Sequence, residues 1–455
     1  MPALKDTIVA PATPPGVGAL GVIRVSGTLA LAIVDKVFRG DQLSKASSHT
    51  VHYGHIHDPD SEKVIDEVMA TVLRAPKSFT TEDTVEISCH GSPVIVRDIM
   101  SLLVRQGARP AEPGEFTLRA FLRGRIDLAQ AEAVADLIES ESSAARETAL
   151  NQLRGGVSKR IAELRQQLID FAALVELELD FSEEDVEFAD RERLVGLVND
   201  LRSEIQRLIY SFKLGDALKQ GVATVIAGRP NAGKSTLLNA LLQEERAIVS
   251  SIPGTTRDTI EEVLHIDGVG FRLIDTAGIR EATDAIEQVG VERTHAKIRE
   301  SALMVYVFDL TSTSPEDLQE ELAALDDSVP RILLGNKIDE APEKARRAFA
   351  LMRPIWISAK TGEGVEELRK ILLDTALGDE VKTDDTVVSN LRHYEALLRA
   401  DQALADVLAG IQDTRSGEMV ALDIRQSLDA LGSITGEVTG EDVLDSIFSR
   451  FCIGK

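Results

Sequence analysis

Short apolar runs separated by turn signals open the chain: Thr7 to Ala12, Leu20 to Val25, Val64 to Leu73 and Thr84 to Cys89, broken by Pro14-Pro15-Gly16 and by Ser26-Gly27. Runs of this length bounded by Gly and Pro predict strands, and the stretch reads as a small α/β domain. From about Phe116 the punctuation changes. Leu150, Leu153, Val157, Ile161, Leu164, Leu168, Phe171 and Val175 recur at spacings of three and four, which puts them on one stripe of a long amphipathic helix. Gly155-Gly156 interrupts the stripe and is expected to weaken or bend that helix, at about 1 kcal/mol per glycine relative to alanine.

Near Gly215 the texture changes again. Val222 to Ala227 is a continuous apolar run before a Gly-rich loop, followed by strand-like runs at Phe271 to Ile274, Leu303 to Phe308, Ile332 to Leu334 and Ile355 to Ile357, with helical stretches between them. Strands alternating with helices predict a mostly parallel, doubly wound sheet. From about Asn390 the helical period returns through Leu391, Leu397, Leu398, Leu404, Val407 and Leu408. The expected fold class is α/β plus α: an N-terminal α/β domain over 1–118, a helical domain in two parts, 119–215 and 380–455, and an α/β domain over 216–379 inserted between them.

A chain of 455 residues accommodates about three such domains at roughly 150 residues each. Its 44% hydrophobic and 27% charged residues are the balance of a globular protein and exclude general disorder. Cys89 and Cys452 stand far apart without partner spacing, which predicts a reducing, cytoplasmic home. The start lacks the basic flank of a signal peptide, and no apolar run is long enough to span a membrane. Fifty basic against seventy-five acidic side chains give a net charge of −25. A surface that negative repels nucleic acid on average, so RNA binding needs a local basic patch or a partner.

The strongest chemical signal is Gly228-Arg229-Pro230-Asn231-Ala232-Gly233-Lys234-Ser235, a G-x-x-x-x-G-K-S loop between an apolar run and the helical run beginning at Thr236. Strand-loop-helix geometry aims backbone N–H groups and the positive end of a helix at a β-phosphate. Lys234 would reach the β/γ-oxygens and Ser235 would ligate Mg²⁺. Asn336-Lys337-Ile338-Asp339 follows Ile332 to Leu334 and so falls at the carboxyl end of a strand, where such sheets bind ligands. The Asp339 carboxylate can accept from guanine N1–H and the exocyclic amine, a donor pair that adenine lacks. Ser358-Ala359-Lys360 supplies a further base contact, and Asp275-Thr276-Ala277-Gly278 stands where a Walker-B aspartate and a γ-phosphate sensor belong. These motifs in this order predict a GTPase and resemble the G motifs of translation-factor-like GTPases, with Thr255 or Thr256 in the switch I role. The residue after Gly278 is Ile279, where Ras-type enzymes carry the water-orienting glutamine. Hydrolysis therefore needs another group for the water and another positive charge for the transition state. Glu281, Asp284 and Glu287 follow, and spacing does not choose among them.

Beyond the G motifs stand Ala12-Thr13-Pro14-Pro15-Gly16, Ile23-Arg24-Val25-Ser26-Gly27, Pro113-Gly114-Glu115-Phe116-Thr117, Asp127-Leu128-Ala129-Gln130-Ala131-Glu132-Ala133, Gly254-Thr255-Thr256-Arg257-Asp258 and the terminal Phe451-Cys452-Ile453-Gly454-Lys455. In these segments the chain resembles, from end to end, the MnmE (TrmE) family of tRNA modification GTPases. The resemblance implies a homodimer whose N-terminal domain binds 5-formyl- or 5,10-methylene-tetrahydrofolate through Arg24, Glu86, Arg125 and Lys455. Arg125 stands where lysine is usual, and a planar guanidinium is not equivalent to an ammonium. It also implies a Ras-like G domain whose GTP site takes in Asn231, Ala232, Gly233, Lys234, Ser235, Thr236, Ser250, Ser251, Ile252, Pro253, Gly254, Thr255 and Thr256. Potassium would be held by Asn231, Ser250, Thr255 and the Ile252 carbonyl in place of an arginine finger, and Mg²⁺ by Ser235 and Thr256. Glu287 matches the switch II acid that orients water. The implied activity, shared with an FAD-binding MnmG partner in a heterotetramer, adds a carboxymethylaminomethyl or aminomethyl group to carbon 5 of the wobble uridine of tRNA, and the implied protein does not touch membrane.

Three features stand outside this assignment. Cys452 is a candidate nucleophile toward uridine carbon 6, or a packing residue of an apolar terminal segment. Arg119, Arg123, Arg125, Arg154, Lys159 and Arg160 are a candidate basic patch for tRNA, or a solvated helix face. His49, His52, His55 and His57 cluster within nine positions, but no cysteine or carboxylate completes a zinc spacing. A ribosome-assembly GTPase is the competing reading, since the G motifs alone fit it equally well. The acidic composition and the Cys452-Ile453-Gly454-Lys455 ending argue against it.

Overall fold

The computed structural model describes residues 5–180, 191–246, 262–274, 301–325, 329–377, 386–413 and 417–455. The chain divides into two compact units, one built from Met1–Ala135, Gln152–Phe181 and Ile424–Lys455, the other from Asp136–Asn151 and Ser182–Asp423.

Seven strands form the sheet of the first unit: β1 (Ile8–Pro11), β2 (Leu20–Ser26), β3 (Phe38–Arg39), β4 (Thr50–His57), β5 (Val64–Leu73), β6 (Thr84–His90) and β7 (Arg109–Pro110). Their order is β3-β4-β5-β6-β2-β1-β7, antiparallel throughout except for the β1–β7 pair. Alternation sends Ile23, Val25, Val68, Ala70, Val72, Val85 and Ile87 to one face. There they pack on helices α1 (Ala30–Asp35) and α2 (Pro93–Arg105) through Ile33, Val34, Ile99, Leu102 and Leu103, each buried side chain contributing about 1.5–3 kcal/mol. The other face carries Arg24 opposite Glu86 and Glu86 opposite Thr71. Its β1 end is covered by Phe116 from α3 (Glu115–Leu122), with Phe79 beside it.

A buried charge network ties α3 to this sheet. Arg119, 1% exposed, donates to the Asp6 carbonyl at 2.9 Å, to the Asp6 carboxylate at 2.5 Å, to Glu115 at 2.9 Å and to Glu82 at 3.2 Å. Burial by itself would lower the guanidinium's pKa, but these carboxylates outweigh it and hold the pKa above its ordinary value. Glu115 also accepts from Arg109 at 2.6 Å and from the Glu112 amide at 2.9 Å. Buried charges demand such partners.

The chain's last residues complete this unit. Leu444, Phe448 and Phe451 pack with Leu128 and Ala131, and the Phe116 amide donates to the Lys455 carbonyl at 3.0 Å. Gly454, at φ +97°, lies where an added Cβ would come within 2.0 Å of the Pro11 carbonyl oxygen.

The stripe from Leu150 to Val175 is not one bent helix, as the sequence suggested, but two. α5 spans Ser143–Leu153 and α6 spans Gly156–Asp180, with α4 (Leu128–Glu139) before them. Gly155 takes the left-handed conformation, φ +87°, and its amide closes a turn onto the Gln152 carbonyl at 2.8 Å. Adjacent glycines therefore supply a left-handed cap as well as a weak point.

In the second unit, α7 (Arg191–Gln220) leads into a six-stranded sheet: β8 (Val222–Ala227), β9 (Glu262–Ile266), β10 (Val269–Ile274), β11 (Leu303–Asp309), β12 (Arg331–Asn336) and β13 (Ile355–Trp356). The order is β13-β12-β11-β8-β10-β9, parallel except for the β9–β10 pair. Helices cover both faces, so the central strands are continuously apolar. α8 (Lys234–Arg246) contributes Leu237 and Leu241 to one side, and α9 (Pro315–Ala323) contributes Leu318 to the other. A capping box between Ser314 and Asp317, with Pro315 at the first position, fixes the start of α9. The helix Leu391–Gln412 is capped by Asn390 and joined to α7 by a stacked Phe212–Tyr394 pair with ring centres 4.3 Å apart.

Candidate nucleotide and carrier sites

β8 lies in the interior of the second unit's sheet, so the loop leaving its carboxyl end opens at the rim where parallel α/β sheets bind ligands. Asn231 stands exposed in the loop in the left-handed conformation, φ +62°. Gly233, at φ +99°, lies so close to the next loop that a Cβ would meet Asn336 Nδ2 at 2.1 Å. Lys234, the first residue of α8, turns its Nζ back onto the Gly228 and Arg229 carbonyl oxygens at 2.6 and 2.8 Å. Burial pushes this ammonium below its ordinary pKa. A phosphate oxygen would offer it a full counter-charge, and the loop is a cradle of the required chemistry. Ser235 is half-buried and Thr236 exposed at the start of the same helix.

Across the rim stands Asn336, the last residue of β12 and 2% exposed. Its Nδ2 donates to the Ala232 carbonyl at 2.8 Å, and its Oδ1 accepts from the Ala359 amide at 2.9 Å. One side chain thus joins the phosphate loop to the Ser358-Ala359-Lys360 loop. Lys337 is left-handed, φ +66°, and its Nζ donates to Asp309 at 2.6 Å. Burial would raise the Asp309 pKa, but Lys337 and Thr311 outweigh it and hold the carboxyl below its usual value. Asp339 is exposed at this rim. Ser358 is buried and accepts from the Thr361 amide at 3.1 Å, whereas the exposed Lys360 reaches Glu340 at 3.5 Å.

Two supports were not read from the sequence. Asp309 anchors Lys337 from the end of β11, and Arg229 pairs with Glu321 and, at 3.9 Å, with Asp317 on α9. Neither partner lies in a motif, although an acid at the carboxyl end of a predicted strand was the available signal for Asp309. Ser250, Ser251, Ile252, Pro253, Gly254, Thr255, Thr256, Asp275, Thr276, Ala277, Gly278 and Glu287 lie outside the described residues, as do Ile279, Glu281 and Asp284.

In the first unit the register of β2 against β6 sets Arg24 opposite Glu86, and the two pair at 2.8 Å. The Arg24 guanidinium lies 5.6 Å from the Phe116 ring centre and 5.9 Å from that of Phe79, and Arg125 lies 5.5 Å from Phe79. A cation within about 6 Å of a ring centre is attracted by the ring quadrupole. Since Phe116 is bonded to the Lys455 carbonyl, residues distant in sequence gather around two aromatic rings. Cys452 is exposed.

Part of the six-residue candidate basic patch is engaged by carboxylates, whereas Arg154 and Lys159 are exposed. Arg119 is buried among Asp6, Glu82 and Glu115, and Arg123 is bound to Glu82 at 2.6 Å. Charge sign in a sequence does not reveal the partner that neutralises it. Of the histidines, His52 bonds Asp41 at 2.9 Å and His49 bonds Ser48 at 2.8 Å. Among the described residues no group of three or more His, Cys, Asp or Glu converges on a metal position, and no helix is long and apolar enough to cross a membrane.

Comparison with known proteins adds the family. Residues 7–125 match the model of the GTP-binding protein TrmE N-terminus, and residues 128–452 match that of the MnmE helical domain. The tRNA modification GTPase MnmE of Cytophaga hutchinsonii is 55% identical over 454 residues, 99% of this chain and 98% of its own. That of Christiangramia forsetii is 49% identical, covering 99% and 100%, and that of Chlorobaculum tepidum 46% identical, covering 100% and 98%. Among solved structures, Aquifex aeolicus Era bound to GDP and AlF4⁻ is 29% identical over 40% of this chain and 66% of that chain, with a TM-score of 0.28. The G domain of the T. maritima FeoB iron transporter is 29% identical over 34% and 98%, with a TM-score of 0.26.

Proposed function

The chain belongs to the MnmE family of tRNA modification GTPases and is a GTP hydrolase, and from that premise we propose that its hydrolysis is potassium-stimulated and serves folate-dependent modification of the wobble uridine. The observation that carries this reading is a substitution of chemistry within the G domain. Ile279 stands where a water-orienting glutamine would be, while Asn231 presents an exposed side-chain amide in the phosphate loop. An amide oxygen is a suitable ligand for a hard cation.

GTP is held by the phosphate loop from Asn231 to Thr236, by Ser250 to Thr256, by Asp275 to Gly278, and by Asn336, Lys337, Asp339, Ser358, Ala359 and Lys360. Asp339 accepts from the guanine edge. Lys234 leaves its own loop carbonyls for the β/γ-oxygens, and its burial strengthens that attraction. Ser235 and Thr256 would hold Mg²⁺, and Asn231, Ser250, Thr255 and the Ile252 carbonyl would hold K⁺. When bound, these cations supply the charge that stabilises the transferring phosphoryl group. Glu287 orients the water that attacks the γ-phosphorus as the bond to the bridging oxygen breaks.

In the first unit, Arg24, Glu86, Arg125 and Lys455 would hold a 5-formyl- or 5,10-methylene-tetrahydrofolate, with Phe79 as a flat apolar wall. The active assembly is a homodimer with an FAD-binding MnmG partner, acting on tRNA in the cytoplasm. Cys452, exposed near this site, is a candidate nucleophile. Its test is one-carbon transfer to tRNA by Cys452→Ser, in which full activity removes the role.

GTP turnover by the full chain in potassium chloride and in sodium chloride at equal ionic strength tests the central reading. Stimulation specific to potassium, lost in Asn231→Ala and Glu287→Ala, is the expected result. Equal slow rates in both salts would overturn it and favour a binding switch that awaits an external activator.

A further inference from the structure

In the second unit's sheet, β9 and β10 are joined by Asp267-Gly268, both at positive φ, +47° and +85°, as a type I′ turn requires. The tip of this hairpin is pressed against the start of α5: a Cβ added at Gly268 would lie 2.8 Å from Ser143 Oγ and 3.4 Å from the Ala144 nitrogen. Ser142 caps that helix end, its hydroxyl accepting from the Ala145 amide at 3.0 Å. A second contact holds the hairpin to the end of α7. Gly221, at φ +76°, approaches β10 so closely that a Cβ would meet the Gly270 carbonyl oxygen at 2.7 Å, and Ala217 and Leu218 pack on the core that contains Val269 and Phe271. From the same helix end Lys219 pairs with Asp136 of α4 at 2.8 Å. The corner from α4 to α5, Asp136–Asn151, thus belongs to the second unit, whereas the stretches before it, up to Ala135, and after it, from Gln152, belong to the first. Those stretches are firmly held there. Gln130 Nε2 donates to the Leu153 carbonyl at 2.8 Å, and Leu128 and Ala131 pack with Leu444 and Phe448. At its other end, the hairpin runs between two segments assigned above to GTP: β9 starts at Glu262, shortly after Thr256, and β10 ends at Ile274, next to Asp275.

We propose that this hairpin and the α4–α5 corner form the link by which the γ-phosphate is sensed outside the nucleotide-binding sheet, an inference that rests on the reading of Thr255, Thr256 and Asp275 to Gly278 as GTP contacts. Two strands paired from Glu262–Leu273 to Ile266–Val269 move as one ribbon, and packed contacts shift between discrete arrangements rather than deforming smoothly. Displacement of the ribbon therefore either carries the start of α5 with it or opens the contact at Ser143. Asp136 follows in the same way through Lys219. Because α4 and α5 are short and continue directly into the first unit's stretches, a shift of the corner is delivered to both of them at once. Coupling of this kind is reciprocal. Whatever displaces the corner from the first unit's side changes the preference for GTP over GDP by the same factor.

The test is hydrogen exchange, read by mass spectrometry, of the full chain saturated with Mg²⁺–GDP or with a non-hydrolysable Mg²⁺–GTP analogue, in wild type, Ser143→Arg and Lys219→Gln. In wild type, exchange in the hairpin and exchange in α5 should each differ between the two nucleotides by at least about threefold. Ser143→Arg, at an exposed position, should keep the hairpin's response and abolish that of α5. Lys219→Gln breaks the other contact without added bulk and should diminish the α5 response, so the test survives if the arginine variant does not fold. Persistence of the full α5 response in both variants would overturn the link. A wild-type hairpin that responds while α5 does not would also overturn it and leave the reading of the GTP contacts standing. A hairpin that exchanges alike with both nucleotides would remove that reading and the inference together.

Discussion

Replacing Asn336 by alanine deletes both ends of the bridge between the phosphate loop and the base loop. The side chain is 2% exposed, and its bonds to Ala232 O and Ala359 N are 2.8 and 2.9 Å long. Each bond is worth about 1 kcal/mol net, and each stranded buried partner costs up to about 1–3 kcal/mol. Loops at a sheet rim can relax toward water, so the sum falls at roughly 2–4 kcal/mol. Because the two groups belong to loops proposed to hold opposite ends of the nucleotide, the loss is expected as ordering that binding must now restore. At 1.4 kcal/mol per decade, the dissociation constant for GDP should rise by roughly 30- to 700-fold. The chain's single tryptophan, Trp356, lies on β13 just before Ser358. Energy transfer from it to a fluorescent guanine nucleotide gives the assay, and its emission alone checks that the sheet is intact. An affinity within threefold of wild type, with unchanged Trp356 emission, would refute the claim that this bridge preorganises the site.

Arg119→Met should destabilise the first unit by about 1.5–3 kcal/mol, because the buried Glu82 and Glu115 each lose one of two guanidinium partners and keep only Arg123 and Arg109. Hydrogen exchange resolved along β1, β6 and α3 reads this, and Trp356 in the second unit should not respond. Acidification should weaken the same unit. Burial alone would raise the carboxyl pKa values of Asp6 and Glu115, but Arg109 and Arg119, joined for Glu115 by the Glu112 amide, hold both below their ordinary values. Their stabilisation is present above about pH 4.5 and lost as pH falls through the folded-state values. Unfolding midpoints across pH 3 to 6 should therefore fall more steeply at the acid end in wild type than in Arg119→Met. Gly454→Ala forces a left-handed alanine against the Pro11 carbonyl, and protection of the Phe116 amide should fall at least tenfold.

Strands with a clear apolar alternation, such as β5 and β6, were legible in the sequence, and so was the run of parallel strands in the second unit. β4 was not, because Val51 and Tyr53 project to the exposed side of Thr50–His57 and its polar residues hide the alternation. The phosphate loop was legible because its function is contiguous: backbone amides, a lysine and a serine arrive together in one turn. The surroundings of Arg24 were not, since Glu86, Phe79 and Phe116 reach it only through the β2–β6 register and the placement of α3. Arg119 shows the limit most sharply. Its three carboxylates come from positions 6, 82 and 115, and a residue read as solvent-facing charge is among the most deeply buried in the chain.

The first unit draws on three separated stretches of sequence, and that arrangement governs how the protein comes off the ribosome. Phe116 and Leu128 emerge early, but their partners Phe448, Phe451 and the Lys455 carbonyl are translated long after them. At about 5–20 residues per second the wait is on the order of tens of seconds. For that interval the nascent sheet, with its helices α1 and α2, must hold α3 and α4 with an uncovered apolar flank, a state suited to chaperone capture. The second unit, whose sheet strands all fall between residues 222 and 356, can close meanwhile. Ribosome stalling or premature termination after residue 423 should accordingly yield chains whose nucleotide-binding sheet is folded and whose N-terminal region is vulnerable to proteases.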